Sequence, residues 1–71
     1  MPLSVKEYDR LERAIIDRKR VALRKGGREY LVIPERLRLE KGREVITTRH
    51  PSTGYRMEIF VDELEGVELV A

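Results

Sequence analysis

The hydrophobic pattern of this chain changes its period once, near Arg20, and that change limits the folds open to it. Before it, apolar residues recur three and four positions apart, as they do along one face of a helix. After it, apolar and polar residues alternate, as they do in strands with one buried face. The sequence therefore predicts one helix, over about residues 5–18, followed only by strands.

Ser4 and Glu7 mark the start of the predicted helix. A serine followed three positions later by a glutamate is a capping box, in which each side chain bonds the backbone N–H of the other residue. Leu3, just before the cap, is placed to pack on Tyr8 as a hydrophobic staple. The helix has a single apolar stripe, so it must lie against another part of the protein. This stripe comprises Val5, Tyr8, Leu11, Ala14 and Ile15.

Glycine and proline divide the rest of the chain into short strands. Gly26-Gly27 predicts a tight hairpin because both residues tolerate positive φ, and residues 50–54 predict a loop. Pro34 predicts an edge or a sharp bend in the second strand. No crossover helix separates the strands, so an antiparallel sheet is expected. The predicted strands cover about residues 20–25, 28–39, 44–49, 54–61 and 67–70.

The fold class that follows is α+β, mainly β: an N-terminal amphipathic helix followed by a five-stranded antiparallel Sm/SH3-like barrel. Its length of 71 residues predicts a single domain, residues 1–71. A domain of this size buries only about 60% of its unfolded surface, which leaves it marginally stable. The chain contains no Cys, so no disulfide can reinforce it. Packing, ion-pair networks or oligomerisation must do so instead.

Composition also suggests a source and a compartment. The chain lacks Asn, Gln and Cys but is rich in Arg and Glu, a pattern that favours a thermophilic source. Residues 1–10 hold no apolar segment typical of a signal peptide, and no apolar run reaches membrane-spanning length. We therefore expect a cytoplasmic protein with no membrane partner.

Several short motifs follow one another in an order known from a protein family. Leu11–Ile16 precedes Val21–Leu23, and an Arg-led apolar segment, Arg28–Pro34, leads to Gly42 and then Val61–Leu64. This order is similar to that of the WYL domain, an Sm-like or SH3-like small barrel of bacterial transcription regulators. The resemblance implies a barrel that binds nucleic acid or a nucleotide.

The chain departs from the WYL pattern at two places. The Trp-Tyr-Leu position reads Glu44-Val45-Ile46, and the Arg before the family's last Ile is Glu63. In the family, the aromatic and Arg positions belong to the proposed nucleic-acid or nucleotide pocket. The resemblance therefore predicts the fold more directly than the activity.

A run of basic residues is the most suggestive functional feature. Six cations fall within eleven residues with no acid among them: Arg18, Lys19, Arg20, Arg24, Lys25 and Arg28. A basic hairpin can contact phosphates, and Tyr30 and Tyr55 can offer stacking faces to single-stranded bases. These eight residues form the predicted nucleic-acid site.

The C-terminal acids offer a second interpretation of the same run. The first and last strands of a small Sm-like barrel are neighbours, so Arg20 and Arg24 can pair across the sheet with Glu68 and Glu65. Charge runs on small domains commonly form solvated or cross-paired faces. A net charge of +2 does not by itself indicate nucleic acid.

Catalytic and metal sites are not expected. His50 is the single histidine, it precedes Pro51 in a loop, and no nucleophile motif accompanies it. Ser52 and Thr53 have the character of turn residues. The carboxylates are dispersed among bases, and no Gly-rich phosphate loop is present. The sequence predicts a protein that is not an enzyme and needs no cofactor or metal.

Two function classes remain open. The first is a binding or regulatory module that contacts nucleic acid or a nucleotide through the basic hairpin. The second is a structural or protein-interaction module that self-associates, or binds another protein, through strand edges. Tyr30–Ile33 is apolar on both faces of its strand, and Phe60 opposes the alternation of Met57 and Ile59. Such strands are either covered on both sides or part of an interface.

Overall fold

A computed structural model describes residues 3–70. One helix, α1, spans Val5–Asp17. Five strands follow: β1 Val21–Lys25, β2 Arg28–Glu40, β3 Arg43–Arg49, β4 Arg56–Phe60 and β5 Gly66–Leu69. A 3₁₀ turn, Val61–Glu63, joins β4 to β5. The structure confirms an α+β, mainly β fold with an antiparallel sheet, and each bound lies within two residues of its sequence-based value.

The capping box at the start of α1 is confirmed. The Glu7 backbone N–H donates to Ser4 Oγ at 3.2 Å, and the Ser4 backbone N–H donates to Glu7 Oε1 at 3.2 Å. Leu11 and Ala14 of the apolar stripe are fully buried. Val5 is 79% exposed, so the buried stripe begins only after the first residue of the helix.

The five strands form one sheet in the order β4-β3-β2-β1-β5. Strand β2 is shared between two halves of this sheet, because its first part, 28–32, pairs with β1 and its second, 33–40, pairs with β3. The register shifts between Pro34 and Arg36, which leaves Glu35 as an extra residue in a bulge. The register shift next to Pro34 agrees with the predicted bend, because a bulge bends its strand. The edge alternative also holds at Pro34 itself, since Pro34 pairs with Thr48 of β3 and the pairing with β1 ends at Val32.

The sheet is open within the described residues. β4 and β5 are its two outer strands, and no pairing joins them along residues 3–70. The closed barrel expected from the sequence is therefore not confirmed, whereas the predicted neighbourhood of the first and last strands is. Helix α1 contacts β2 and β5 and packs on the face of the sheet that contributes to the core.

The core lies between α1 and the inner face of the bent sheet. Its largest fully buried side chains include Leu11, Leu23, Ile46 and Leu64. Thr48 is the one polar residue that is fully buried among residues 3–70, and its hydroxyl donates to the Met57 carbonyl at 2.9 Å. Gly26 and Gly27 have φ of 58° and 75°, as the predicted hairpin turn requires.

Candidate functional site

A groove beside the start of β2 arises because two hairpins differ in length. β2 and β1 pair as far as the Gly26-Gly27 turn, whereas β3 ends at Arg49, opposite Ile33. The chain then turns through 50–55 and returns as β4. Residues 28–32 of β2 therefore have a strand on one side only, and the groove occupies the place that β3 would take if it continued.

The groove has a volume of about 350 Å³ and a mainly apolar lining. Three of its apolar side chains are unusually exposed: Tyr55 at 79%, Leu31 at 43% and Met57 at 38%. Such exposure gathered in one concavity is typical of a binding surface, whereas scattered exposed residues need no explanation. Glu29, Tyr30, Leu31 and Val32 line one side, and Thr48, His50, Tyr55 and Met57 line the other.

The backbone of β2 presents hydrogen-bonding groups to this groove. The carbonyls of Arg20 and Arg24 accept from the N–H groups of Val70 and Glu65, so every second residue of β1 directs its backbone N–H and C=O groups at β5. The residues between them direct their backbone groups at β2, where they pair with Arg28, Tyr30 and Val32. Glu29 and Leu31 consequently direct both their N–H and C=O groups away from β1. No partner for these four groups occurs among residues 3–70.

A tight loop holds one wall of the groove. The His50 N–H donates to the Tyr55 carbonyl at 2.7 Å, and the Gly54 N–H donates to the His50 carbonyl at 2.9 Å. His50 Nδ1 accepts from the N–H groups of Ser52 and Thr53 at 3.1 and 3.2 Å. His50 therefore acts as a turn residue here and fixes the position of Tyr55.

Three charged residues form a cluster near the end of β3, where Arg49 and Arg56 adjoin groove residues in the sequence and Glu35 lines a separate depression beside α1. Arg49 and Arg56 are directly opposite each other on β3 and β4. Glu35, from the β2 bulge, accepts from Arg49 Nε at 3.1 Å and from Arg56 Nε at 3.2 Å. Desolvation acts to raise the pKa of Glu35, but the hydrogen bonds from Arg56 and Arg49 outweigh it, and the pKa is lowered. The Glu35 carboxylate thus forms ion pairs with two guanidinium groups, so these three side chains together carry one net positive charge.

The six cations of the predicted site lie along one stretch of the chain, from the end of α1 to the start of β2, and we call them the basic surface. Arg18 caps the C-terminus of α1, Lys19 and Arg20 connect it to β1, Arg24 lies on β1, and Lys25 and Arg28 flank the Gly26-Gly27 turn. Lys25 contacts Glu63 at 3.0 Å. In the described part of the chain the other five form no ion pair, and none of the six lines the groove.

The cross-strand pairs expected for Arg20 and Arg24 do not form. Register places Glu68 opposite Ala22 and places Arg24 opposite Gly66. Glu68 approaches Arg10 at 4.0 Å, and Glu65 accepts from the Gly27 N–H at 3.3 Å. The acidic C-terminal residues therefore do not neutralise Arg20 and Arg24.

Tyr30 and Tyr55, the other two residues of the predicted site, both line the groove. The structure thus divides the eight predicted residues between the basic surface and the groove. The sequence indicated that the apolar segments containing Leu31 and Met57 were either covered or part of an interface, but it did not bring them together in one groove or locate the open edge of β2. The available signal was the loop at 50–54, which ends β3 before it can cover β2.

The open edges of the sheet are not equivalent. On β5, Val67 faces away from β1, and its N–H donates to Glu7 Oε2 at 3.3 Å. Its carbonyl accepts from Arg10 Nη1 at 3.2 Å. Side chains of α1 therefore occupy the β5 edge at its centre, whereas the start of β2 has no such cover in residues 3–70.

Residues 3–70 contain no group of three or more His, Asp or Glu side chains arranged to hold a metal ion. The helix of these residues is too short and too polar to cross a bilayer.

No family model, curated protein or solved structure matches the chain. The resemblance to the WYL domain accordingly rests on the sequence motifs alone.

Proposed function

We propose that the protein is a non-enzymatic binding module that contacts nucleic acid or a nucleotide through its basic surface. The observation that carries this proposal is the state of the cations: Arg18, Lys19, Arg20 and Arg28 form no ion pair among residues 3–70, whereas the Arg24 guanidinium lies next to Gly66 beside the Glu7 carboxylate. Unpaired guanidinium groups can donate two parallel hydrogen bonds to a phosphate without first breaking an ion pair.

The proposed fold is an Sm/SH3-like barrel of the WYL type. It is supported by the N-terminal helix, the strand order and the bend at Glu35, where one strand serves both halves of the sheet. In this proposal the basic surface replaces the aromatic and Arg positions at which the chain departs from that family.

Oligonucleotide titration tests this function. We expect single-stranded RNA or DNA to bind the full chain at low salt, with affinity falling steeply as salt rises, because each neutralised phosphate releases counterions. Arg20→Glu and Arg28→Glu should each weaken binding. Arg36→Glu makes the same charge change at an exposed residue of β2 outside the basic surface and serves as the control. Absence of binding at low salt, or equal losses in all three variants, would contradict the proposal.

A second candidate function is protein interaction through a strand edge. It is favoured by the open backbone groups of Glu29 and Leu31 beside an apolar groove. Self-association through β5 is less favoured, because Glu7 and Arg10 already bond Val67 on that edge. Light scattering across a range of concentrations measures self-association directly, and a strict monomer would restrict this function to other partners.

A further inference from the structure

We propose that the groove binds an extended peptide segment of another protein, which adds to the start of β2 as a further strand. This inference rests on the second candidate function and specifies where the edge is and what it accepts. It does not depend on nucleic-acid binding, because no residue of the basic surface lines the groove.

The hydrogen-bonding pattern of the edge selects the occupant. Glu29 and Leu31 offer two N–H donors and two C=O acceptors along one side of β2. Equivalent groups two residues apart in a strand are separated by about 6.6 Å. An extended polypeptide carries alternating donors and acceptors at the same spacing, and main-chain bonds of this kind provide the affinity in strand addition. A single nucleobase is too short to engage both residues.

The shape of the groove suits a short segment. The uncovered stretch that lines it, residues 29–32, spans about 13 Å at 3.3 Å per residue. Alternate side chains of an added strand point to opposite faces of the sheet. Those on the inner face meet Tyr30 and Met57, beside the buried Thr48. Those on the outer face lie beside Leu31. An apolar side chain of moderate size is therefore favoured at the inward positions.

Charges beside the groove further define the peptide. Arg28 precedes the uncovered stretch and has no acidic partner within residues 3–70. Arg49 and Arg56, which adjoin lining residues in sequence, share the single carboxylate of Glu35. At the first flank Arg28 is offset by the adjacent Glu29, which lines the groove, so the net positive charge lies at the flank of Arg49 and Arg56. The complementary partner is an extended segment in which apolar residues alternate with polar ones and an acidic residue stands at the end nearest Arg49 and Arg56, and a test peptide with Glu at both ends meets this requirement in either direction.

The test uses four acetylated and amidated eight-residue peptides. Each has Glu at both ends and Thr alternating with one apolar residue, which is Ala, Val, Leu or Phe. We expect at least one to bind the full chain and to shift and protect from exchange the backbone amides of Glu29 and Leu31 in ¹⁵N-labelled protein. Failure of all four to bind overturns the proposal, as does binding that moves only resonances of the basic surface.

Two N-methylated forms of the best peptide provide the decisive comparison. One carries methyl groups on the odd-numbered amides and the other on the even-numbered amides. Strand addition uses only one of these sets, so one form should lose at least about tenfold in affinity while the other binds within about twofold. Equal effects of both forms would show that backbone pairing is not involved and would overturn the proposal.

Variants separate this proposal from the proposed nucleic-acid function. Leu31→Ala removes an exposed apolar side chain of the groove that is not part of the predicted nucleic-acid site, and it should weaken the peptide but not the oligonucleotide. Leu39→Ala makes the same change at an exposed residue of β2 near the β2–β3 hairpin and should change neither. Arg20→Glu should weaken the oligonucleotide alone. An oligonucleotide or a second copy of the chain that occupies the groove in place of the peptide would overturn the inference.

Discussion

At the scale of single residues, the two positions at which the chain departs from the WYL pattern both hold acids with structural contacts. Glu44 accepts a hydrogen bond from the Tyr8 hydroxyl, which joins α1 to β3. Glu63 contacts Lys25 at 3.0 Å and Arg43 at 3.5 Å. Arg43 also forms a two-fold contact with Asp62 and stacks over Phe60 at 3.6 Å from the ring centroid. Glu44 and Glu63 therefore take part in contacts that join elements of the fold.

The bond between Tyr8 and Glu44 predicts a loss of stability in alkaline solution. The hydrogen bond to Glu44, aided by desolvation, raises the pKa of Tyr8 to about 12. An unfolded tyrosine ionises near pH 10, so this contribution is complete below about pH 10 and is lost as pH rises toward about 12. Tyr8→Phe should therefore be less stable than the parent chain at pH 8, and the difference should shrink above pH 10. Urea unfolding across this range measures it, with Tyr55→Phe as control.

Thr48 allows a second prediction at this scale, on buried polar contacts. Its side chain is fully buried and its hydroxyl bonds the Met57 carbonyl at 2.9 Å. Thr48→Val keeps the shape but removes the donor, so we expect a loss of about 1 kcal/mol in the free energy of unfolding. Urea denaturation with an unchanged m-value would establish this. Ser52→Ala, at an exposed loop residue, should have no comparable effect.

At the scale of elements, local chemistry accounts for what the sequence predicted. The capping box fixed the start of α1, and paired glycines fixed the β1–β2 turn, because both depend on residues close together in the chain. The groove and the ion pairs depend on register. Arg24 lies opposite Gly66 and not Glu65, and a shift of one residue places a side chain on the other face of the sheet. Alternation alone does not determine that register.

Glu7 links two elements, and this predicts how α1 responds to acid. Hydrogen bonds from the backbone N–H groups of Ser4 and Val67 lower the pKa of Glu7. A lowered folded-state pKa means that the stabilisation is present above the unfolded value, near 4.3, and is lost as pH falls through the folded value. Glu7→Gln should therefore lower stability at pH 7, with the difference shrinking below about pH 4. Thermal unfolding at a series of pH values tests this.

Glu12→Gln is the matched control for this prediction, since it makes the same change on the exposed side of α1. It should show little dependence on acid relative to the parent chain. A constant difference between Glu7→Gln and the parent from pH 7 to pH 2 would show that the carboxylate charge does not matter and that only the packing of the side chain does.

At the scale of the whole molecule, the arrangement separates three surfaces. The basic surface lies at the helix–sheet junction and the first hairpin, the apolar groove lies beside β2, and α1 covers the β5 edge. A sheet with exposed edges is prone to pair with other chains. The cover over β5 leaves the other outer strand, β4, and the start of β2 as the edges at which strand pairing is expected.

This division predicts that loosening α1 promotes association. Glu7→Ala combined with Arg10→Ala removes both side chains that bond Val67 and exposes the backbone N–H and C=O groups of the β5 edge. We expect the variant to self-associate at protein concentrations at which the parent chain is less associated, as measured by light scattering after size exclusion. Lys6→Ala combined with Asp9→Ala also removes one cation and one acid, at two exposed residues of the same helix, and should leave the distribution unchanged. Circular dichroism must show that helix content is retained in both, because edge exposure, and not general unfolding, is the cause we infer. A folded Glu7→Ala, Arg10→Ala variant with the parent's mass distribution would show that the two side chains do not protect the β5 edge.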